Sequence, residues 1–229
     1  MKSQEYGNVS FFQQVYKGYN LFSRMSAAND QQDIKKEKIL EAAHHRFLHY
    51  GYSKTTMNEI AADLSLSKAL LYYYFPDKSQ LYTAVMRKVA DDYLNILKSR
   101  VNTFADLKDA FEFEINTQHE FIVANYNFFD FFRLNEQNLP DMIWQIVGQV
   151  HQCEADLLVT AIKNEADKGK IKPVPNPDEI VELLLDALHG VRVSAQSHKK
   201  ILFPQKEHLD EIRTKRLLLA DIFIKGLMY

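Results

Sequence analysis

Apolar side chains recur every three or four residues along most of this chain, which is the spacing of one face of an α-helix. Residues 1–33 precede this pattern and are predicted to form a flexible N-terminal extension. The first predicted helix starts at Ile34, with Asp33 as its N-cap. It ends at Gly51, because a left-handed residue is favoured directly after the last turn of a helix.

Two short helices with a tight turn between them are predicted next. Thr56 and Glu59 have the spacing of a capping box, which predicts a helix that runs to about Asp63. The sequence Ser-Leu-Ser forms the turn, and Ser67 is the predicted cap of a second short helix that ends at Tyr74. This arrangement is typical of a helix-turn-helix.

Longer helices are predicted for the rest of the chain. Pro76 stops the second short helix, and Asp77 caps a long helix that starts near Lys78. Further helices are predicted at about 105–124, 128–136, 141–168, 178–197 and 206–227. The predicted fold is therefore all-α, with a helix-turn-helix domain over residues 34–80 and a larger helical domain over residues 81–229.

Composition supports an all-helical protein. The 229 residues include only 7 Gly and 6 Pro, which are few for a chain of β-hairpins. No run reaches the roughly 18 apolar residues of a membrane span, so no membrane association is predicted. The single cysteine, Cys153, excludes an internal disulfide and a cysteine-rich zinc site and fits a reducing compartment. The predicted location is the cytoplasm.

Charge is distributed unevenly along the chain. Residues 34–90 contain nine Lys and Arg against five Asp and Glu, a net charge of +4. Residues 91–229 contain 16 basic against 22 acidic side chains, a net charge of −6. This asymmetry predicts that only the front of the protein faces a polyanion such as DNA.

Three consecutive tyrosines, Tyr72, Tyr73 and Tyr74, occupy the second short helix. Leu71 and Phe75 share one face of that helix by their i, i+4 spacing, so the three rings cannot all be core residues. One interpretation is that the rings are half-buried and only their hydroxyls reach water. For Tyr72 and Tyr73 we favour DNA contact, because a phenol can donate to phosphate oxygens and its ring edge can meet a thymine methyl. Tyr74 suits either role.

The segment "ILEAAHHRFLHYGYSKTTMNEIAADLSLSKALLYYYFPDKSQLYTAVM" resembles the DNA-binding domain of TetR-family transcriptional regulators. The resemblance covers about 50 residues and includes "GY", "TT", "IA", the Ser-Leu-Ser turn, "LYYYF" and the lysine after the proline, in that order. It implies a ligand-released repressor that binds a pseudo-palindromic operator in double-stranded DNA. It also implies that the larger domain binds the ligand and dimerises.

Three positions depart from the family pattern, and they are expected to change operator preference. Ser65 stands where the family usually has glycine, Leu70 replaces a small hydroxyl residue, and Tyr74 replaces a frequent histidine. The resemblance makes Lys78 a phosphate contact, while Thr56 combines a hydroxyl with the exposed amides of a helix start. The predicted DNA-contacting residues are Thr56, Ser67, Lys68, Ala69, Leu70, Tyr72, Tyr73, Tyr74 and Lys78.

The last two predicted helices, 178–197 and 206–227, are apolar over most of their circumference. A helix that is apolar all round needs cover on every side, so these helices are predicted to form the interface of a homodimer.

An aromatic stretch, "NYNFFDFFRLNEQNLPDMIWQ", supports two interpretations. Its rings can simply pack in a core, or they can line the cavity of a small hydrophobic effector, flat or acyl in shape. Because the larger domain is acidic, it would also tolerate an effector that carries a positive charge. The predicted ligand-binding residues are Phe111, Asn116, His119, Phe121, Phe128, Phe132, Trp144 and Gln145.

Other functions find little support in the sequence. It contains no Gly-rich phosphate loop, no metalloprotease motif and no cysteine-based constellation, so we predict that the protein is not an enzyme and has no cofactor or metal. His45 and His49 have i, i+4 spacing but are interpreted as surface residues. The alternative is an α-helical small-molecule-binding or interaction protein without sequence-specific DNA binding. This alternative would leave the net positive charge of residues 34–90 and the three consecutive tyrosines unexplained.

Overall fold

The computed structural model describes residues 30–131, 139–197 and 206–229. The chain divides into two units, residues 1–38 and residues 39–229. In the first unit, residues 30–38 are helical, and the side chains of residues 32–38 are exposed. The predicted extension over residues 1–33 therefore lies almost entirely outside the described residues.

Within these ranges the chain is all-α, as predicted, and the described residues contain no strand. The helices are α1 (Asp30–Lys54), α2 (Met57–Asp63), α3 (Lys68–Tyr74), α4 (Lys78–Arg100), α5 (Leu107–Ala124), α6 (Asp141–Asp167), α7 (Pro177–Ser197) and α8 (Lys206–Leu227). No helix in these parts of the chain has the length and apolar character needed to cross a membrane.

The predicted starts of α2, α3 and α4 are confirmed, because a local cap defines each of them. Asp77 caps α4, because its side chain accepts a hydrogen bond from the backbone N–H of Gln80 at 2.7 Å. The prediction for α1 is wrong, since this helix begins at Asp30 and Asp33 lies inside it. The predicted helix at 128–136 falls partly outside the described residues. Its described part forms turns up to Phe129 and is helical only at residues 130–131.

Two hydrophobic cores share helix α4. The first core combines α1, α2, α3 and residues 81–90 of α4 with four side chains from further along the chain, namely Phe128, Phe131, Ile143 and Ile146. The second core joins Tyr93 and Leu97 of α4 to α5, α6, α7 and α8. The division into domains 34–80 and 81–229 stays a prediction, because α4 crosses that boundary as one continuous helix.

Candidate nucleic-acid interface and buried polar cluster

Helix α2 begins with the capping box that the sequence predicts. The Thr56 hydroxyl accepts a hydrogen bond from Glu59 N at 3.3 Å, and the Glu59 carboxylate accepts one from Thr56 N at 2.8 Å. Thr56 is exposed, whereas Met57, Ile60 and the rest of the inner face of α2 pack in the first core. The Thr56 hydroxyl also donates to the Glu59 carboxylate at 2.8 Å, so it lies at the surface at the start of α2 but is bonded within the capping box.

The turn of the helix-turn-helix keeps a left-handed residue although it contains no glycine. Ser65 has a φ of 53°, and its N–H donates to the carbonyl of Ala62 at 3.0 Å. Leu66 N donates to the carbonyl of Ala61 at 2.9 Å, which completes a Schellman motif. Ser67 then caps α3 by accepting from Leu70 N at 3.2 Å.

Helix α3 divides into a buried face and an exposed face, as its spacing predicts. Leu71 is fully buried and Phe75 is 5% exposed, whereas Tyr72 and Tyr73 are 39% and 70% exposed. Tyr74 is half-buried, and its ring meets that of Tyr73 edge-on with the centroids 5.4 Å apart. The structure thus places Ser67, Lys68, Ala69, Tyr72 and Tyr73 in one exposed stretch, with Leu70 half-buried beside it.

Lys68 and Tyr72 form a pair on the exposed face of α3. The Lys68 ammonium lies 5.8 Å from the centroid of the Tyr72 ring. This arrangement joins a positive charge to a flat aromatic surface and a phenol hydroxyl. Phosphate oxygens and base edges are the groups that such a surface recognises.

Lys78 is tied to the end of α1 rather than pointing freely into water. Its ammonium donates to the carbonyls of Tyr52 and Thr55, at 2.9 and 3.0 Å, and lies 4.1 Å from the centroid of the Tyr52 ring. Burial lowers the pKa of Lys78. Because an ammonium has three N–H donors, two of them fix the residues just before α2 and one is left for another acceptor.

A short segment, residues 125–131, fastens the end of α1. The Asn127 side-chain amide donates to the carbonyls of Leu48 and His49, at 3.1 and 3.3 Å. The Asp130 carboxylate accepts from Tyr52 N at 2.8 Å and from the Ser53 hydroxyl at 3.0 Å. These bonds satisfy backbone groups that the end of a helix leaves without partners.

Gly51 makes this connection possible. Its φ of 77° and ψ of 171° belong to a region that glycine alone adopts readily, which confirms the need for glycine predicted from the sequence. A Cβ at this position would lie 2.4 Å from Oδ2 of Asp130. The helical path of α1 therefore breaks at Gly51, directly against that carboxylate, and helical residues continue beyond the break to Lys54.

The predicted ligand-binding residues are not brought together. Phe111 lies in the second core and Phe128 in the first, and only Phe121 packs against both. Trp144 is 55% exposed, and Gln145 next to it is also exposed. Phe132 lies outside the described residues. Asn116 and His119 are instead half-buried opposite α8, where Asn116 meets Arg213 and His119 meets Asp210.

A buried polar cluster lies in the larger part of the molecule, inside the second core. We define it as Tyr93, Glu114, Gln118, Glu154 and Arg216. The Glu154 carboxylate accepts from the Tyr93 hydroxyl at 2.7 Å and from the Gln118 amide at 2.8 Å. Arg216 donates to Gln118 Oε1 at 2.6 Å and, more weakly, to Glu114 Oε1 at 3.4 Å.

Sequence reasoning missed both the cluster and the 125–131 connection. Glu114 and Gln118 stand one turn apart on the face of α5 that also carries Phe111 and Ile115, which is a signal for inward-facing polar groups that the spacing could have given. Asp130 gives no such signal. Its partners lie 77 and 78 residues away, and nothing in the local pattern points to them.

A helix-turn-helix that presents a basic and aromatic face on its second helix is the architecture of a DNA-binding protein. Comparison with known proteins leads to the same class. The family model "Bacterial regulatory proteins, tetR family" matches residues 39–85. The regulator RutR of Escherichia coli is 42% identical over 73 residues, which are 32% of this chain and 34% of RutR, so this match spans about a third of that relative.

Two further comparisons extend over most of the chain. IcaR of Staphylococcus aureus, a negative transcriptional regulator of the biofilm operon icaADBC, is 33% identical over 200 residues, covering 83% of this chain and 99% of IcaR. A transcriptional regulator from Cytophaga hutchinsonii has a TM-score of 0.74 at 27% identity and covers 85% of this chain and 99% of its own. The chain belongs to the TetR family and is a DNA-binding transcriptional regulator rather than an enzyme.

Proposed function

We propose that the protein binds a pseudo-palindromic operator in double-stranded DNA as a cytoplasmic homodimer, and represses transcription until a small hydrophobic effector releases it. The exposed face of α3 carries this proposal. It offers the Lys68 ammonium and the exposed rings of Tyr72 and Tyr73 on a helix whose opposite side is buried. The proposal assigns DNA binding to residues 34–80, and ligand binding and dimerisation to residues 81–229.

The DNA contacts follow from the groups at this surface. Tyr72 and Tyr73 reach phosphates or thymine methyls, and Ala69 lets the helix backbone approach the groove. Thr56 and Lys78 bind phosphates on either side, Lys78 through the N–H that the two carbonyls leave over. Ser67, Leu70 and Tyr74 complete the surface at the edges of α3.

Apolar side chains on α7 and α8 support the homodimer. The side chains of Leu183, Leu218 and Ile222 are 70%, 60% and 59% exposed. Large apolar side chains exposed together in this way are typical of a surface that another protein covers. Pairing these two helices with those of a second copy would cover them in a four-helix arrangement. Sedimentation equilibrium tests this directly: we expect a dimer for the natural chain and a monomer for Leu218→Asp, with the partly exposed Val147→Asp as the control. A natural chain that sediments near 26.7 kDa would contradict the proposal.

DNA binding is tested by selecting duplexes from a random-sequence pool and measuring affinity by fluorescence anisotropy. We expect Tyr73→Ala to weaken binding strongly and Tyr72→Phe modestly. Lys68→Ala should reduce the salt slope by about one counterion per site. Tyr50→Ala is the matched control, because Tyr50 is also an exposed tyrosine, at 57%, and lies on α1 outside the proposed contact surface. Equal losses for Tyr73→Ala and Tyr50→Ala would contradict recognition by α3.

A further inference from the structure

Four buried side-chain atoms lack a hydrogen-bond partner among the described residues, and all four lie on α5 or α8. They are Glu114 Oε2, His208 Nδ1, Arg213 Nε and Arg216 Nε. Two of them are N–H donors on arginines that stand one turn apart on α8, both facing α5 through their bonds to Asn116 and Gln118. A buried donor without an acceptor destabilises a protein, so this pattern points to an acceptor that binds there.

A third arginine adds positive charge near this place. Arg192 on α7 is half-buried, and its guanidinium donates to Nδ1 of His189 at 2.7 Å. Because Nδ1 accepts this bond, the His189 ring is neutral. Burial lowers the pKa of Arg192, and the positive charge of Arg216 lowers it further. The two guanidinium groups therefore repel each other electrostatically.

The pKa values of two nearby histidines, His119 and His189, are also lowered by these arginines. Burial and then Arg192 lower the pKa of His189, and burial and then Arg213 lower the pKa of His119, with Asp186 and Asp210 opposing the respective shifts. The arginines therefore act on both histidines alongside the carboxylates of Asp186 and Asp210.

Carboxylates offset part of the charge of these arginines: Asp210 lies 3.6 Å from Arg213, and the charge of Glu154 opposes the lowering of the Arg192 pKa. Glu154 is occupied by Tyr93 and Gln118. Burial, partly opposed by Arg216, raises the pKa of Glu114 to about 7, so this carboxyl takes up a proton near neutral pH. Protonation of Glu114 would remove the negative charge beside Arg216.

We infer that Arg213 and Arg216, with Arg192 contributing positive charge nearby, form an anion-binding site that takes the carboxylate or phosphate group of a small organic molecule. The anion supplies acceptors to the free Nε–H groups of Arg213 and Arg216, and guanidinium groups suit planar carboxylates and phosphates. Apolar side chains of the second core, such as Phe111 and Phe223 with ring centroids 5.8 Å apart, adjoin the apolar body of the ligand. The inference rests on the proposed ligand-released function and gives its effector a chemical class.

The test uses the full chain without DNA and four probes that each have six carbons in a straight chain: hexanoate, hexyl phosphate, hexanamide and hexylamine. We expect the two anions to raise the thermal unfolding midpoint and the amide and the amine to leave it unchanged. Isothermal titration should show hexanoate affinity rising as pH falls from 8 to 6, because Glu114, His119 and His189 all gain protons more readily beside a bound anion. Hexanoate itself stays ionised over this range.

Two variants sharpen the test. Glu114→Gln should strengthen hexanoate binding at pH 8 by roughly tenfold, because it removes a like charge from the site, and should flatten the pH dependence. Arg216→Gln should weaken binding by about tenfold or more. Glu112→Gln, an exposed glutamate on the same helix, is the control and should change neither. If Arg216→Gln does not fold, the higher hexanoate affinity expected for Glu114→Gln still tests the proposal.

Three results would overturn the anion site: no anion stabilises the natural chain, the amide or amine matches hexanoate, or Glu114→Gln fails to strengthen hexanoate binding. The proposed function is tested separately by adding hexanoate to the protein–operator complex. Hexanoate that binds the free protein but leaves operator affinity unchanged supports the site and contradicts release by an effector of this class. By linkage, release requires operator DNA to weaken hexanoate by the same factor.

Discussion

The carboxylate of Asp130 occupies the space that a side chain on Gly51 would need. Oδ2 of Asp130 lies 2.4 Å from the position of a Cβ on Gly51, while Oδ1 accepts from Tyr52 N at 2.8 Å. Glycine is therefore required at residue 51 for two independent reasons, its positive φ and the proximity of this carboxylate. The end of α1 and the 125–131 segment are fitted to each other across 79 residues of sequence.

We expect Gly51→Ala to lower the free energy of unfolding by about 2 kcal/mol or more, because the strained φ and the displaced carboxylate add. Urea denaturation measures this change. Gly148→Ala is the control: Gly148 lies within α6 with open space around it, so alanine should stabilise the protein by about 0.5–1 kcal/mol. Equal effects at the two glycines would show that Asp130 does not restrict residue 51.

Asp130→Asn tests whether this carboxylate positions the helix-turn-helix. The amide keeps the size of the side chain but loses its charge, and one of its two acceptors becomes a donor, so the bond from the Ser53 hydroxyl must reverse if Tyr52 N keeps its acceptor. We expect unfolding to become easier by about 1–3 kcal/mol and operator affinity to fall, although Asp130 is not part of the proposed DNA-contacting surface.

Asp91→Asn is the control for Asp130→Asn, since Asp91 is an exposed residue of α4. Affinity should be measured well below the unfolding midpoint, so that loss of folded protein does not count as loss of binding. An Asp130→Asn protein that is less stable but binds operator normally would restrict Asp130 to a structural role.

Lys78→Ala separates positioning from phosphate contact. The substitution removes the donor to the Tyr52 and Thr55 carbonyls, so we expect a stability loss of about 1–3 kcal/mol. A phosphate contact adds a second effect, a reduction of the salt slope of DNA binding by about one. The slope is measured by anisotropy at several salt concentrations. If the slope is unchanged while stability falls, Lys78 only holds the start of α2 in place.

Glu114 should make stability depend on pH. Burial raises its folded pKa from an ordinary 4.5 to about 7, so the folded state holds a proton that the unfolded chain releases. Stability contributed by this group therefore falls as pH rises from about 4.5 to 7, and the penalty stays constant above pH 7. We expect the stability of Glu114→Gln relative to the natural chain to increase over this range, by up to about 1.4 kcal/mol per pH unit.

Urea unfolding at pH 5, 6, 7 and 8 measures this difference. Glu112→Gln provides the baseline, because Glu112 is exposed and pairs only with Lys108 in the described residues. A Glu114→Gln curve parallel to that of the natural chain would show that Glu114 is ionised throughout.

The sequence predicts the helix-turn-helix in detail because its determinants are local. Thr56, Ser67 and Asp77 each cap a helix by a hydrogen bond to a residue three positions away. The spacing of residues along the chain is therefore sufficient to predict where these helices start. The start of α1 was misplaced because the polar residues before it offer several possible caps, and Asp33 is only one of them.

The ligand-binding prediction is the weakest part, and the reason is geometrical. Counting aromatic residues does not show which face of a helix is covered, so exposed Trp144 and buried Phe128 looked equivalent. The polar cluster depends on side chains from four helices, and only the folded chain shows that Tyr93, Gln118 and Arg216 meet.

Helix α4 passes through both cores, with residues 81–90 in the first and Tyr93 and Leu97 in the second. This has a consequence for the exchange of operator specificity between relatives. A chimera that transplants only residues 39–85 would bring a foreign α1 end to Asn127 and Asp130, which are fitted to this one. A transplant that also carries residues 125–131 and the first half of α4 preserves those bonds, so the portable unit is discontinuous in sequence although continuous in space.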